Sequence, residues 1–168
     1  MIRLIAVVDA DFGVSKCGKI PWGFSEDRQL FQARTKNCVL AMGKNTFEET
    51  EEMPLKGRIN CVVSRELSLR SSQDDYGTKY KTNVRIFRAL EDVCAKYADF
   101  WLIGGAKLYN YALKKDLVGY ALITRVHQCH NADTFLDSFQ LEKFSRKILE
   151  ENDRYSISEY FSKVFPSV

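Results

Sequence analysis

Apolar positions divide this chain into short buried runs separated by segments with helical spacing. Residues 2–9 (IRLIAVVD) form a continuous run rich in Ile and Val, too short for a helix and suited to a central strand covered on both faces. Residues 38–42 (CVLAM), 59–63 (INCVV), 100–103 (FWLI) and the shorter 84–87 (VRIF) repeat the pattern. Between them, helical spacing covers 25–36, with Ser25 as N-cap and Leu30, Phe31 and Ala33 facing inward, and then 46–52, 89–98 and 105–114. Strands alternating with helices predict crossover units and an α/β fold whose mixed sheet is mainly parallel. Beyond residue 117, the segments YALITRV, RKILEE and RYSISEYFSKVF read as late strands, the last two joined as an antiparallel C-terminal hairpin across Asn152-Asp153. Residues 10–24, with Gly13, Gly18, Pro21 and Gly23, predict a long irregular loop, and 65–83 a polar surface excursion.

Length and composition narrow the class. The 168 residues fit a single domain, 1–168, and an apolar fraction of 45% beside 28% charge is enough to form a core without metals or partners. No apolar run approaches the roughly 20 residues of a membrane span, and Met1-Ile2-Arg3-Leu4-Ile5 does not open a signal peptide, so the expected location is cytoplasmic with no membrane partner. Cysteines 17, 38, 61, 94 and 129 form no CxxC pair, which predicts reduced thiols rather than disulfides or structural zinc. A net charge of +3 is too small to imply nucleic acid and suits an anionic small ligand as well as plain solubility.

Ligands of such sheets sit beyond the carboxyl ends of the parallel strands, where helix starts present free N–H groups. Three junctions there suit phosphate. Gly43-Lys44-Asn45-Thr46 offers close backbone approach, a cation and a helix cap; Ile103-Gly104-Gly105-Ala106-Lys107 offers bare amides and a lysine; Val63-Ser64-Arg65 offers a hydroxyl and a guanidinium. Asp27 falls in the first turn of its helix, where the macrodipole favours a carboxylate, and Phe31 one turn later shares its face. A carboxylate against an aromatic wall is costly unless an amidine-like ligand meets it. His127, Cys129 and His130 lack a fourth ligand and would diverge on a strand, so no metal site is expected.

The pieces LIAVV at 4–8, GVSKCGKIPW at 13–22, Asp27 with Phe31 and Thr35, MGKNTFE at 42–48, PLKGR at 54–58, VVSR at 62–65, IGGAKLY at 103–109, Thr124 and DTF at 133–135 resemble the dihydrofolate reductase family in order and spacing over nearly the whole chain. The resemblance implies a single-domain dihydrofolate-reductase-like fold, an eight-stranded sheet flanked by about four helices. It further implies NADPH-dependent hydride transfer to C6 of 7,8-dihydrofolate with protonation at N5, and binding of antifolate inhibitors. In that reading Asp27 is the active-site acid and the only buried carboxylate of consequence, with Thr124 hydrogen-bonded to it and Trp22 holding a water that carries the proton. Ile5, Ala6, Arg28, Phe31, Thr50, Leu55 and Ile103 would line the substrate cleft, and Arg58 would clamp the glutamyl α-carboxylate as a bidentate pair.

For the cofactor, the resemblance places Lys44, Ser64 and Arg65 at the 2′-phosphate, and Asn45, Thr46, Gly104, Gly105, Ala106 and Lys107 at the pyrophosphate. It places Ala6, Ile20 and Tyr109 beside the nicotinamide, with Val7, Val14, Ser15, Lys19, Gly43, Ile103 and Leu108 completing the contacts and 14–20 forming a mobile loop. Ser15 stands where the family usually has glycine, Lys44 for a frequent arginine, Arg28 at an often apolar place, and Leu136 where proline commonly follows DTF. The resemblance makes a riboflavin-pathway reductase of the same fold a poor fit, because such proteins typically lack the Pro-Trp and Asp27 arrangement. The alternative from another class is a non-catalytic structural or nucleotide-binding protein on this fold. A monomer is the default expectation.

Overall fold

The five apolar runs assemble side by side, since strands without a polar face are stable only when covered above and below. The computed structural model describes residues 1–23, 25–66 and 83–164. In chain order the elements are β1 (Ile2–Val8), β2 (Gly13–Ser15), α1 (Ser25–Thr35), β3 (Val39–Gly43), α2 (Lys44–Glu49), β4 (Ile59–Val63) and β5 (Val84–Phe87). They continue with α3 (Leu90–Lys96), β6 (Phe100–Leu102), α4 (Ala106–Lys114), β7 (Val118–Val126), β8 (Thr134–Phe135), α5 (Ser138–Leu141), β9 (Phe144–Glu151) and β10 (Tyr155–Ser162). Eight strands pair in the order β5-β4-β3-β6-β1-β7-β10-β9, parallel from β5 through β7, with β10 antiparallel to β7 and β9.

Strand alternation sends neighbours into two cores. Leu40, Met42, Val62, Trp101 and Leu122 face one side, under α1 and α2, with Leu30, Phe31 and Phe47. Ala41, Cys61, Leu102 and Ile123 face the other, under α3 and α4, with Leu90, Val93, Tyr109 and Leu113. Burial also holds the Cys61 thiol up at about 12, which keeps it protonated and inert.

The structure corrects several expectations. Residues 10–24 are not wholly irregular: β2 pairs antiparallel with β8, a two-stranded patch too short to carry a readable period. Five helices occur among the described residues rather than four, the extra one being the single turn α5. Ser25 is the first helical residue, and its hydroxyl donates to Glu26 at 3.0 Å instead of capping. Helix α2 begins two residues earlier than its apolar spacing suggested, after an extended Gly43 that has no side chain to cap with, so Asn45 and Thr46 lie inside it. Ala33 is exposed, because the buried stripe of α1 runs through Leu30, Phe31 and Thr35. The hairpin turn spans 152–154, held by the Asn152 side chain, which accepts the amides of Arg154 and Tyr155 at 2.9 and 3.0 Å. Leu136 is buried, and its amide donates to the Phe12 carbonyl at 2.9 Å, a bond proline could not make. Most of the 65–83 excursion lies outside the described residues. Among the described residues no helix is long and apolar enough to cross a membrane.

Candidate active site

Residue 27 lies in the first turn of α1, and the helix sets its carboxylate against the carboxyl end of β7. Burial raises the Asp27 pKa above the ordinary carboxylate value, and the nearby Thr124 hydroxyl opposes that shift only in part. Thr124 is 2% exposed and pairs with Val7 of β1, so the sheet fixes its hydroxyl. Tyr109 on α4 is buried and donates its hydroxyl to the Ile5 carbonyl at 2.7 Å, tying α4 to β1; burial, then the Asp27 charge, push its pKa up. The Trp22 indole N–H is buried and meets no acceptor among the described residues, and its ring lies 5.0 Å from that of His130.

Pairing on β1 sorts the candidate contacts into two walls. Ile5 points to the α1 side, where it shares one apolar cluster with Phe31, Leu55 and Ile103, the residues expected around a pterin. Ala6 points to the α4 side and clusters with Val14, Ala106, Leu108 and Tyr109, the residues expected near the nicotinamide. Val7 is half-buried on the same strand, while Arg28, Thr50, Lys19 and Ile20 are exposed, Ile20 by 56%. Leu55 is held by Asn60, whose amide accepts its N–H at 3.1 Å and donates to its carbonyl at 3.0 Å. Sequence reasoning missed Asn60, although a lone polar residue in INCVV was a usable signal.

Arg58 is held by its own chain. Its Nε donates to the Thr35 carbonyl and hydroxyl, each at 3.1 Å, its Nη1 to the Lys56 carbonyl at 3.1 Å, and its Nη2 to Gln32, both backbone and side chain. A two-pronged grip on a carboxylate therefore requires the Gln32 side chain to yield, a role sequence reasoning did not assign.

The three phosphate-type junctions come together because β4, β3 and β6 are adjacent. The Gly43 amide donates to the Gly104 carbonyl at 2.9 Å. A Cβ at Gly104, whose φ is +148°, would stand 3.0 Å from the Thr46 hydroxyl, so glycine is required where the two loops interlock. The Gly104–Gly105 peptide is cis. Ser64 is buried and Arg65 exposed at the end of β4, and Lys44 forms an ion pair with Glu66 at 2.6 Å. Asn45 and Lys107 are exposed beside them. Interlocked glycine loops, a cation pair and a buried hydroxyl fit a phosphorylated dinucleotide.

The loop from 13 to 20 is fastened at several points. Ser15 bonds the Thr134 hydroxyl, the Cys17 amide donates to Asp133 Oδ2 at 2.7 Å, and Lys16 pairs with Lys19 across a tight turn. Contrary to expectation, Asp27 is not the only carboxylate drawn from water. Asp9 is 1% exposed and accepts the amides of Asp11, Gly13 and His130 at 2.9, 2.8 and 3.0 Å. His127 and Cys129 are exposed, Cys129 bonded to Asp11, and no group of His, Cys, Asp and Glu among the described residues is placed to hold a metal.

A part-desolvated acid at the start of α1 and a glycine-lined phosphate cradle after β3, β4 and β6 make the layout of a nucleotide-dependent oxidoreductase. A sequence profile of the family described as Dihydrofolate reductase matches residues 1–164. A Caenorhabditis elegans protein named for that family is 30% identical, covering 98% of this chain and 89% of its own. The dihydrofolate reductase of Ureaplasma parvum is 28% identical over 96% of this chain and 97% of its own, and that of Rattus norvegicus 28% identical over 89% and 84%. The chain belongs to the dihydrofolate reductase family, is an oxidoreductase, and takes the family's cofactor, NADPH.

Proposed function

We propose that this chain reduces 7,8-dihydrofolate to tetrahydrofolate, with Asp27 gripping the pterin edge. The observation that carries the reading is the Asp27 carboxylate itself, half-buried in the first turn of α1, its pKa raised by burial and only partly lowered by the Thr124 hydroxyl. A 2-amino-4-oxo-pteridine presents two adjacent N–H groups, which is the donor pair such a carboxylate lacks. Ile5, Phe31, Leu55 and Ile103 supply the apolar wall that keeps the ring stacked and dry, and the same wall suits diaminopyrimidine antifolates. Arg58 takes the α-carboxylate of the glutamyl tail after Gln32 releases it.

NADPH, when bound, supplies the hydride that goes to C6. Lys44, Ser64 and Arg65 hold its 2′-phosphate, and Asn45, Thr46 and Gly104 to Lys107 its pyrophosphate. Ala6, Val7, Val14, Ser15, Lys19, Ile20, Gly43, Ile103, Leu108 and Tyr109 border the remainder. A carboxylate that grips the 2-amino and N3 edge of a pteridine does not reach N5, so the Asp27 charge favours protonation there while Trp22, whose indole N–H meets no acceptor among the described residues, orients the water that delivers the proton. One chain, in one domain, carries every group the reaction uses, so the catalytic unit is the monomer, at work in the cytoplasm without nucleic acid or membrane. Purified protein should oxidise NADPH only when dihydrofolate is present, and faster than NADH; oxidation of NADPH without dihydrofolate dependence would overturn the reading.

A further inference from the structure

Strand β9 ends the sheet, and among the described residues it pairs only with β10. Its last six residues are Arg146-Lys147-Ile148-Leu149-Glu150-Glu151: two cations, two aliphatic residues, two anions. All six are exposed, Ile148 by 49% and Leu149 by 40%. Read backwards with charges inverted, this string is itself. Antiparallel pairing with a second copy about a two-fold axis between Ile148 and Leu149 therefore sets each cation opposite an anion.

Opposed side chains must also lie on the same face of the sheet, and an unbroken strand fails here, because residues three or five apart point oppositely. The β-bulge corrects this. Ile148 pairs with Ser158 and Glu150 with Ile157, leaving Leu149 as the extra residue. Lys147 opposite Glu159 and Glu150 opposite Ile157 thus share one face; Arg146 opposite Tyr160 and Glu151 opposite Ser156 share the other. Arg146 is steadied by its bond to the Ser158 hydroxyl at 3.1 Å, and Glu150 by the Tyr155 hydroxyl at 2.8 Å.

We propose that β9 is a self-pairing edge through which two copies of this chain associate. Sheet edges are commonly blunted by charge, which works best when like charges meet; the charges of this strand meet their opposites on a second copy. Six residues a side bury less than the ~1,200 Å² of a standard interface, so the pair is weak and concentration-dependent. None of the six edge residues is among the groups proposed for catalysis or for binding substrate and cofactor.

Sedimentation velocity from ~1 µM to ~1 mM tests it, the range over which weak association is filled. The wild-type chain should move from monomer to dimer across that range, and less so in added salt. Arg146→Glu with Lys147→Glu makes an all-acidic edge, and Glu150→Lys with Glu151→Lys an all-basic one; each variant should stay monomeric with wild-type turnover, which reports that it is folded. An equimolar mixture of the two should recover the dimer. A wild-type chain that stays monomeric throughout, variants that dimerise as it does, or a mixture that does not pair would each overturn the proposal.

Discussion

Asp9 is buried and Asp27 half-buried, burial pushes both pKa values upward, and the chain treats the two acids oppositely. Burial alone would raise the Asp9 pKa, but backbone N–H groups of His130, Gly13 and Asp11, with the His130 charge, bring it below the ordinary carboxylate value. Asp27 has the burial without the donors, and its pKa is raised. A carboxylate whose lone pairs are filled by the backbone fastens a loop; one left short of donors waits for a ligand's N–H groups.

Replacing each acid by its amide separates the two roles. Asp27→Asn should lower turnover near pH 7 by about 10²–10⁴-fold, since it removes the charge that favours protonation of the bound ring. Stability should hold or rise slightly, because the neutral amide carries no penalty for burying a charge. Asp9→Asn should do the reverse, costing about 2–4 kcal/mol of unfolding free energy through lost charge-assisted bonds while the folded fraction keeps most of its turnover. Steady-state assays and urea melts on both variants check this; two variants failing in the same way would dissolve the contrast.

The contrast has a pH signature. The folded pKa of Asp9 lies below its unfolded value, so its stabilisation is present above about 3.9 and is lost as pH falls through the folded pKa. The folded pKa of Asp27 lies above its unfolded value, so its charge costs stability at neutral pH, and that cost disappears as pH falls through the raised pKa. Urea melts over pH 3–7 should therefore show the Asp9→Asn difference shrinking toward acid as a loss in the parent, and the Asp27→Asn difference shrinking as a gain in the parent.

Only one of these two acids was visible in the sequence, for a physical reason. Asp27 sits at a helix start beside an aromatic residue, a local pattern, whereas Asp9 accepts two amides of an irregular turn that has no readable period and a third from His130, far along the chain and brought near by the β1–β7 pairing. The same division runs through the fold. Strands with no polar face and junctions marked by glycine were readable, because composition alone dictates them. The β2–β8 patch, the bulge at Leu149 and the grip of Gln32 on Arg58 were not, because two- and three-residue pairings and side-chain reach leave no period. Cap positions failed where the backbone did the work, as at Gly43.

Thr124→Val tests whether the Thr124 hydroxyl matters to Asp27. Removing it takes away an interaction that favours the ionised form, so the inflection of the pH–rate profile that belongs to Asp27 should move to higher pH, while plateau turnover changes less than about tenfold. An unmoved inflection with a large loss of stability would make Thr124 a packing residue of the sheet.

The smallest effect belongs to a third carboxylate, Glu66, which differs from both others in being exposed and ion-paired, to Lys44 at 2.6 Å. Lys44 is one of the groups proposed for the 2′-phosphate, so a bound phosphate and Glu66 compete for the same ammonium. Glu66→Gln removes the competitor and a like charge beside the phosphate. Exposed pairs are worth roughly 0.2–1 kcal/mol, so NADPH should bind about two- to fivefold tighter, with the gain reduced in high salt and NADH binding unchanged. Fluorescence titration with both nucleotides measures it. Equal gains for NADPH and NADH would place the effect away from the phosphate, and weaker NADPH binding would mean that Glu66 positions Lys44 instead of opposing its ligand.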